Sequence, residues 1–249
     1  MSAKDILVKP ISPKEANDLI KQVHYSGKVV NNSQVHMGVF YGGRLEGALQ
    51  FGPSLDKAKI QGLVKDTNWN AFIELNRMAF SEALPRNSES RAIAIAMRLL
   101  KKHAPHIQWV ISFADGTQCG DGTIYRASGF YLTQIKKNSG LRRNPDTGEV
   151  MQNMTAFSKN IEAEFRKWPL VPGFQFRYIY FLDTKAKERL TVPIIPFSEI
   201  AKQGATMYKG ISGRSISSNA SDFRSEEGGA NPTLLLQPSA NELADTKPL

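Results

Sequence analysis

The stretch "LPRNSESRAIAIAMRLLKKHAPHIQWVISFADG", Leu84 to Gly116, decides the fold, because it joins a long amphipathic helix to a buried strand. Ile93, Met97 and Leu100 recur along one helical face. Ser88 can cap the start. Lys101, Lys102 and His103 suit the negative end of the helix dipole, and Pro105 follows the stop. "IQWVISFA" is then short and almost wholly apolar, as a central strand covered on both faces must be.

Working outward, "NAFIELNRMAF" before the helix alternates as a strand, and "VHMGVFYGGRLEGALQFG" reads as a hairpin turning at Gly42–Gly43. "SPKEANDLIKQVHYSG" opens with Ser12 as cap, Pro13 at the first helical position and Glu15 three residues after the cap. His24 and Tyr25 fall where that helix ends. Downstream, "GTIYRASGFYL" starts with a short helix carrying Tyr125. "LRRNPDTGEV" reads as a basic loop and "FQFRYIYFLD" as a strand. The order helix, hairpin, strand, helix, buried strand, helix, strand predicts an α/β fold with a mixed sheet and flanking helices. From residue 211 the chain turns rich in Ser, Gly, Asn and Pro, which predicts a folded domain over 1–210 and a disordered tail over 211–249, dispensable for chemistry.

The formal net charge is +9 over 249 residues. Three Lys/Arg against five Asp/Glu leave residues 211–249 at −2, so residues 1–210 carry +11. A domain that basic points to a polyanion, usually nucleic acid. The single cysteine, Cys119, excludes an intrachain disulfide and a cysteine zinc finger, and fits a reducing compartment. The N-terminus lacks the apolar stretch of a secretory signal, and no apolar run approaches the roughly 18 residues of a membrane span.

Strands feeding a helix place ligands at their carboxyl ends. That singles out Asp115, at the end of the buried strand, and Tyr125, beyond a glycine-rich turn. Gly120-Asp121-Gly122 lacks the third glycine of a dinucleotide fingerprint, and no P-loop lysine pattern occurs. Asp115 is either a cap for the helix near Thr123 or an acid or base; Tyr125 is either a core tyrosine or a proton donor. Arg86, Asn87, Ser88 and Ser90 at the start of the long helix form a candidate anion site. Arg77 inside a strand needs an acceptor if it points inward. His24 is either a dipole partner or part of a proton-transfer or metal site with Asp115, to which His36 would add a second imidazole.

At these residues the chain resembles the Mom family of phage DNA-modification enzymes. "HYSG", "ELNRMAF", "LPRNSES", "SFADG", "GTIYRASGFYLT" and "FRYIYFLD" carry the likeness, in order, over about residues 5 to 205. The resemblance implies a GNAT-like acyltransferase fold. It also implies conversion of adenine in double-stranded DNA to N6-(carbamoylmethyl)adenine, which shields phage DNA from restriction in the cytoplasm of the infected host. His24 and Tyr25 match the family's His-Tyr pair, Arg77 its strand arginine, Ser90 its helix-start motif, and Asp115 and Tyr125 its Asp and Tyr motifs. The sequence departs from GNAT acetyltransferases before the long helix. "RNSESR" holds no glycine where they carry a pyrophosphate loop, which argues against an acetyl-CoA-like donor and leaves the donor of the two-carbon group unidentified. The resemblance carries an association with iron that the sequence alone does not suggest. A conventional N-acetyltransferase and a non-catalytic basic DNA-binding protein are the alternatives.

Overall fold

Local signals set the first helix. The Ser12 hydroxyl accepts from the Glu15 backbone N–H, and the Glu15 carboxylate accepts from the Ser12 N–H. This closed box fixes where the helix begins, and its apolar side is drawn onto the sheet through Ala16 and Ile20, both fully buried. The computed structural model describes residues 2–117, 120–208 and 211–212.

In chain order the elements are β1 (Leu7–Pro10), α1 (Pro13–Val23), β2 (Val35–Tyr41), β3 (Arg44–Gly52), α2 (Lys57–Gln61), β4 (Phe72–Phe80), α3 (Ser88–His103) and β5 (Trp109–Asp115). There follow α4 (Thr123–Ala127), β6 (Tyr131–Lys137), β7 (Leu141–Arg143), β8 (Val150–Gln152), α5 (Asn153–Ser158), α6 (Glu162–Phe165), β9 (Phe174–Phe181), α7 (Thr184–Glu188) and α8 (Ser198–Lys202). Seven strands form one sheet in the order β1-β2-β3-β4-β5-β9-β6. All neighbours are antiparallel except β4 and β5. The parallel pair needs a crossover, and α3 supplies it. This is the mixed α/β sheet with flanking helices expected from the sequence.

The hairpin, β4, α3, β5 and β9 lie where the sequence predicts. Trp109, Val110, Ile111 and Ser112 of β5 are all fully buried, and Ile93, Met97 and Leu100 of α3 pack in the main core. The two edge strands, β1 and β6, were not apparent in the sequence, because each shows one side to solvent and is broken by Lys, Gln or Pro. The "LRRNPDTGEV" segment forms the small hairpin β7–β8 rather than a loop. Asn144 makes it, its side-chain oxygen accepting from the backbone N–H groups of Asp146 and Thr147. The tail expected over 211–249 lies, apart from Ile211 and Ser212, outside the described residues. No helix of the described residues is long and apolar enough to cross a membrane.

Two irregularities shape the sheet's working end. β4 and β5 pair only from Phe72 to Glu74 against Trp109 to Ile111 and then part. In β4, Gln50 of β3 faces Arg77 and Phe51 faces Leu75, which leaves Asn76 as an extra residue, a β-bulge. The bulge inverts the alternation. Ile73 and Leu75 point to the α3 side, whereas Ala79 joins Ala16, Ile20 and Ala48 beneath α1.

The turn before α4 is equally constrained. Gly122 has φ +85°, and a Cβ there would lie 2.5 Å from the Tyr178 ring. Gly122→Ala is expected to lose about 2–4 kcal/mol, combining left-handed strain with overpacking. A urea-denaturation midpoint equal to that of the unmodified chain would contradict this account.

Candidate active site

Where β4 and β5 part, a cavity of about 530 Å³ opens. His24, Tyr25, Arg77, Asp115 and Tyr125 all line it, so the five candidate catalytic residues converge although 101 positions separate the first from the last. α1 ends at its rim and delivers His24 as C-cap, its backbone N–H bonded to Ile20 O. The bulge turns Arg77 toward the α1 side. β5 ends there in Asp115, and α4 begins there and carries Tyr125.

Asp115 does not cap α4. That helix starts at Gly122 with no side-chain cap. Asp115 Oδ1 instead accepts from the Thr117 backbone N–H (3.0 Å) and from the Thr117 hydroxyl, so the turn leaving β5 aims the carboxylate. No described residue is bonded to Oδ2. Tyr125 is buried, stacked on Tyr178 at 4.9 Å and edge-on to Phe130 at 5.3 Å. Its hydroxyl lies 2.8 Å from Ser112 Oγ, which also lies 2.8 Å from the Leu75 carbonyl. A carbonyl only accepts and Ser112 has one proton, so Ser112 donates to Leu75 O and Tyr125 donates to Ser112. Tyr178 donates to Asp121 O, and burial pushes its pKa up, so it stays a neutral phenol.

Arg77 Nη1 lies 3.2 Å from His24 Nε2. A guanidinium only donates, so Nε2 accepts from it, and Nδ1 is met by the Ser26 backbone N–H at 3.1 Å and the Ser26 hydroxyl at 2.9 Å. His24 is therefore neutral, and burial first and the Arg77 charge second push its pKa down to about 4. The acceptor that the strand arginine needs includes an uncharged imidazole. The Tyr25 ring packs against His24 with centroids 4.3 Å apart and is itself 56% exposed.

The helix-start set behaves differently. α3 begins at Ser88, and its cap residue is Asn87, left-handed at φ 70° with no side-chain cap bond. Ser88 is not the cap: its N–H donates to Pro85 O, and its hydroxyl is buried with no partner among the described residues. Arg86 and Asn87 are exposed, and Ser90 donates to Asn87 O. None of the four lines the cavity. Glu89, between them, does, and lost solvation raises its pKa although its side chain still reaches solvent. A carboxyl on the first turn of α3 disfavours an anion placed beside it.

The described residues do not by themselves form an iron site. Among the described residues no three His, Cys, Asp or Glu side chains come together to hold a metal. His24 presents Nε2 to a guanidinium, and His36 lies two strands from Arg77 with Nδ1 3.0 Å from Gln50 Nε2. Cys119 lies outside the described residues. The sequence pattern also passed over Ser112, Phe113, Glu89 and Asp121. Ser112 and Phe113 sit inside the quoted "SFADG", where a hydroxyl in an otherwise apolar strand was the available signal.

The chain matches the model of the Mom protein family over residues 5–199. It is 34% identical over 199 residues to the methylcarbamoylase Mom of Escherichia phage Mu, covering 77% of this chain and 82% of that protein. Among solved structures it is similar to the Escherichia coli ribosomal-protein-S18-alanine N-acetyltransferase (10% identity, 72% of this chain and 95% of that one, TM-score 0.42). It is also similar to an acetyltransferase of the GNAT family from Streptococcus pneumoniae (9% identity, 71% and 98%, TM-score 0.41).

The neutral His24 links the site to stability. Its folded pKa lies below the usual 6.5, so the unfolded chain takes up the proton first as pH falls. The contribution is whole above pH 6.5 and is lost between 6.5 and about 4. After allowance for solvent screening it amounts to about 1–2 kcal/mol. His24→Gln should flatten that part of the pH dependence, measured as the difference between the two proteins in urea unfolding at pH 7 and pH 4.5. Identical slopes would show that His24 is not held neutral.

Proposed function

The chain belongs to the Mom protein family, and from that premise we propose that it modifies DNA, converting adenine in the duplex to N6-(carbamoylmethyl)adenine and so protecting phage DNA from host restriction. The observation that carries the proposal is the cavity between β4 and β5, which gathers Asp115, Tyr125, His24, Tyr25 and Arg77 at one end of a strongly basic domain.

The chemistry needs these groups. The adenine amino lone pair is delocalised into the ring, so attack on carbon requires proton removal from N6. Asp115 accepts that proton through the carboxylate oxygen turned from Thr117. The N6–carbon bond forms as the bond from that carbon to its leaving group breaks. Tyr125 gives its proton to the departing group, and Ser112 turns its own proton from Leu75 O to the phenolate. Arg77, steadied by His24, supplies positive charge where charge develops on the donor. The base must leave the stack to reach the cavity, and basic side chains hold the phosphates while it does.

Asp115→Asn is a clean test, because an amide oxygen can keep both Thr117 bonds but cannot take a proton. The expected protein is stable, binds DNA and is inactive; Tyr125→Phe should likewise be folded and severely impaired. Mass spectrometry of nucleosides from DNA of expressing cells reads both. Wild-type levels of modified adenine with soluble Asp115→Asn protein would end the proposal.

DNA binding is expected to be electrostatic and weakly dependent on sequence. Lys136, Lys137 and Arg143 are exposed, whereas Arg142 donates to Trp168 O and is structural. Neutralising the first three should weaken binding to all duplexes alike and flatten the salt dependence of log K by up to about 0.9 per lost phosphate contact. An unchanged slope in anisotropy titrations would turn those side chains away from DNA.

A further inference from the structure

Trp109, Ile111, Phe113 and Asp115 alternate onto one face of β5. Trp109 and Ile111 are fully covered by a cluster that includes Leu63, Val64 and Ala186. The cover stops there. Phe113 is 43% exposed in the middle of a strand whose neighbouring residues Ser112 and Ala114 are buried. It lines the same cavity as Asp115 and Arg77.

Its surroundings are organised. Arg177 of β9 stands directly opposite Phe113 in the sheet. Thr133 holds that guanidinium, accepting from Nε through its hydroxyl (3.0 Å) and from Nη2 through its carbonyl (3.2 Å). Burial lowers the Arg177 pKa without removing its charge. On β6, exposed Lys136 pairs in register with Gln175, which faces Asp115 on the other side. An open aromatic face is thus flanked by fixed positive charge on one side and by the carboxylate on the other. Residues two apart on a strand are about 6.6 Å apart. That separation suits a base whose ring lies over Phe113 while its exocyclic amino group reaches Asp115.

We propose that Phe113 is the stacking platform for the adenine swung out of the duplex, with its amino edge toward Asp115 and the strand phosphates toward Arg177 and Lys136. The occupant is a nucleic-acid base because an aromatic face bordered by cations matches a π-surface bordered by phosphates. A base taken from its stack loses two neighbours, and an aromatic side chain replaces one of them. The inference rests on the reading of the chain as a DNA adenine-modifying enzyme.

The test compares Phe113→Ala, Phe113→Leu, Phe113→Tyr and Phe113→Trp in the full chain. Modified adenine in cellular DNA is measured early after induction, with duplex affinity and thermal unfolding of each purified protein. Phe113→Ala and Phe113→Leu should form product about 5- to 150-fold more slowly, the range that base–aromatic stacking spans. Phe113→Tyr and Phe113→Trp should retain most activity. Duplex affinity should stay within about twofold throughout, because phosphate contacts dominate it. If Phe113→Leu works as well as Phe113→Tyr, Phe113 only fills space and the platform is refuted. Wild-type rates in Phe113→Ala refute it too. Absence of modified adenine with the unsubstituted chain would instead overturn the function on which the platform rests.

Discussion

The site depends on one extra residue. Asn76 bulges β4 just after its short parallel pairing with β5, and the two strands part from that point. A sheet that continued in register would be sealed by backbone hydrogen bonds, with Arg77 on the α3 side of the core. With the bulge, the strands leave a cavity between them and Arg77 turns toward His24. Parting leaves the Leu75 carbonyl without a partner strand, and Ser112 satisfies it. The same hydroxyl then positions Tyr125. Backbone irregularity, buried serine and candidate acid are therefore one connected device, consistent with the concentration of bulges at functional sites.

Electrostatics in the cavity follow from that geometry. Burial first, and the charge of the adjacent arginine second, hold the imidazole in its neutral form, so His24 acts as an acceptor and not as a cation. The pair keeps positive charge on the guanidinium, which cannot lose its proton, and away from the ring, which can. The carboxylate across the cavity is fixed through its own turn, by Thr117. Each group thus has its own local support.

Much of this was legible in the sequence because it is local. The capping box at Ser12, the Gly42–Gly43 hairpin, the face of α3 and the apolar run of β5 each carry their own signal. Asp115 and Tyr125 could be singled out because they follow strand and helix boundaries. What was not legible depends on pairing between distant segments. The bulge at Asn76 exists only relative to β3, so the direction of Arg77 could not be read from alternation. Ser88 looked like a cap by residue type, yet Asn87 takes that place because the Pro85 carbonyl claims the Ser88 N–H. Phe113 looked like one more apolar residue of a buried strand. Only the three-dimensional cover over Trp109 and Ile111, which ends one step short of it, shows that it is open.

The start of α3 has its own electrostatic character. An anion binds a helix N-terminus when free backbone N–H groups point at it with nothing negative beside them. Here Glu89 stands on the first turn and lines the cavity. Its raised pKa shows that ionisation is disfavoured in these surroundings, and a diphosphate placed beside it would disfavour it further. Binding a diphosphate donor would then cost either repulsion from the carboxylate or uptake of a proton by Glu89. A donor whose nearby part is neutral or hydrogen-bond donating meets neither cost. One carboxyl at the helix start thus disfavours an anionic group in this part of the cavity.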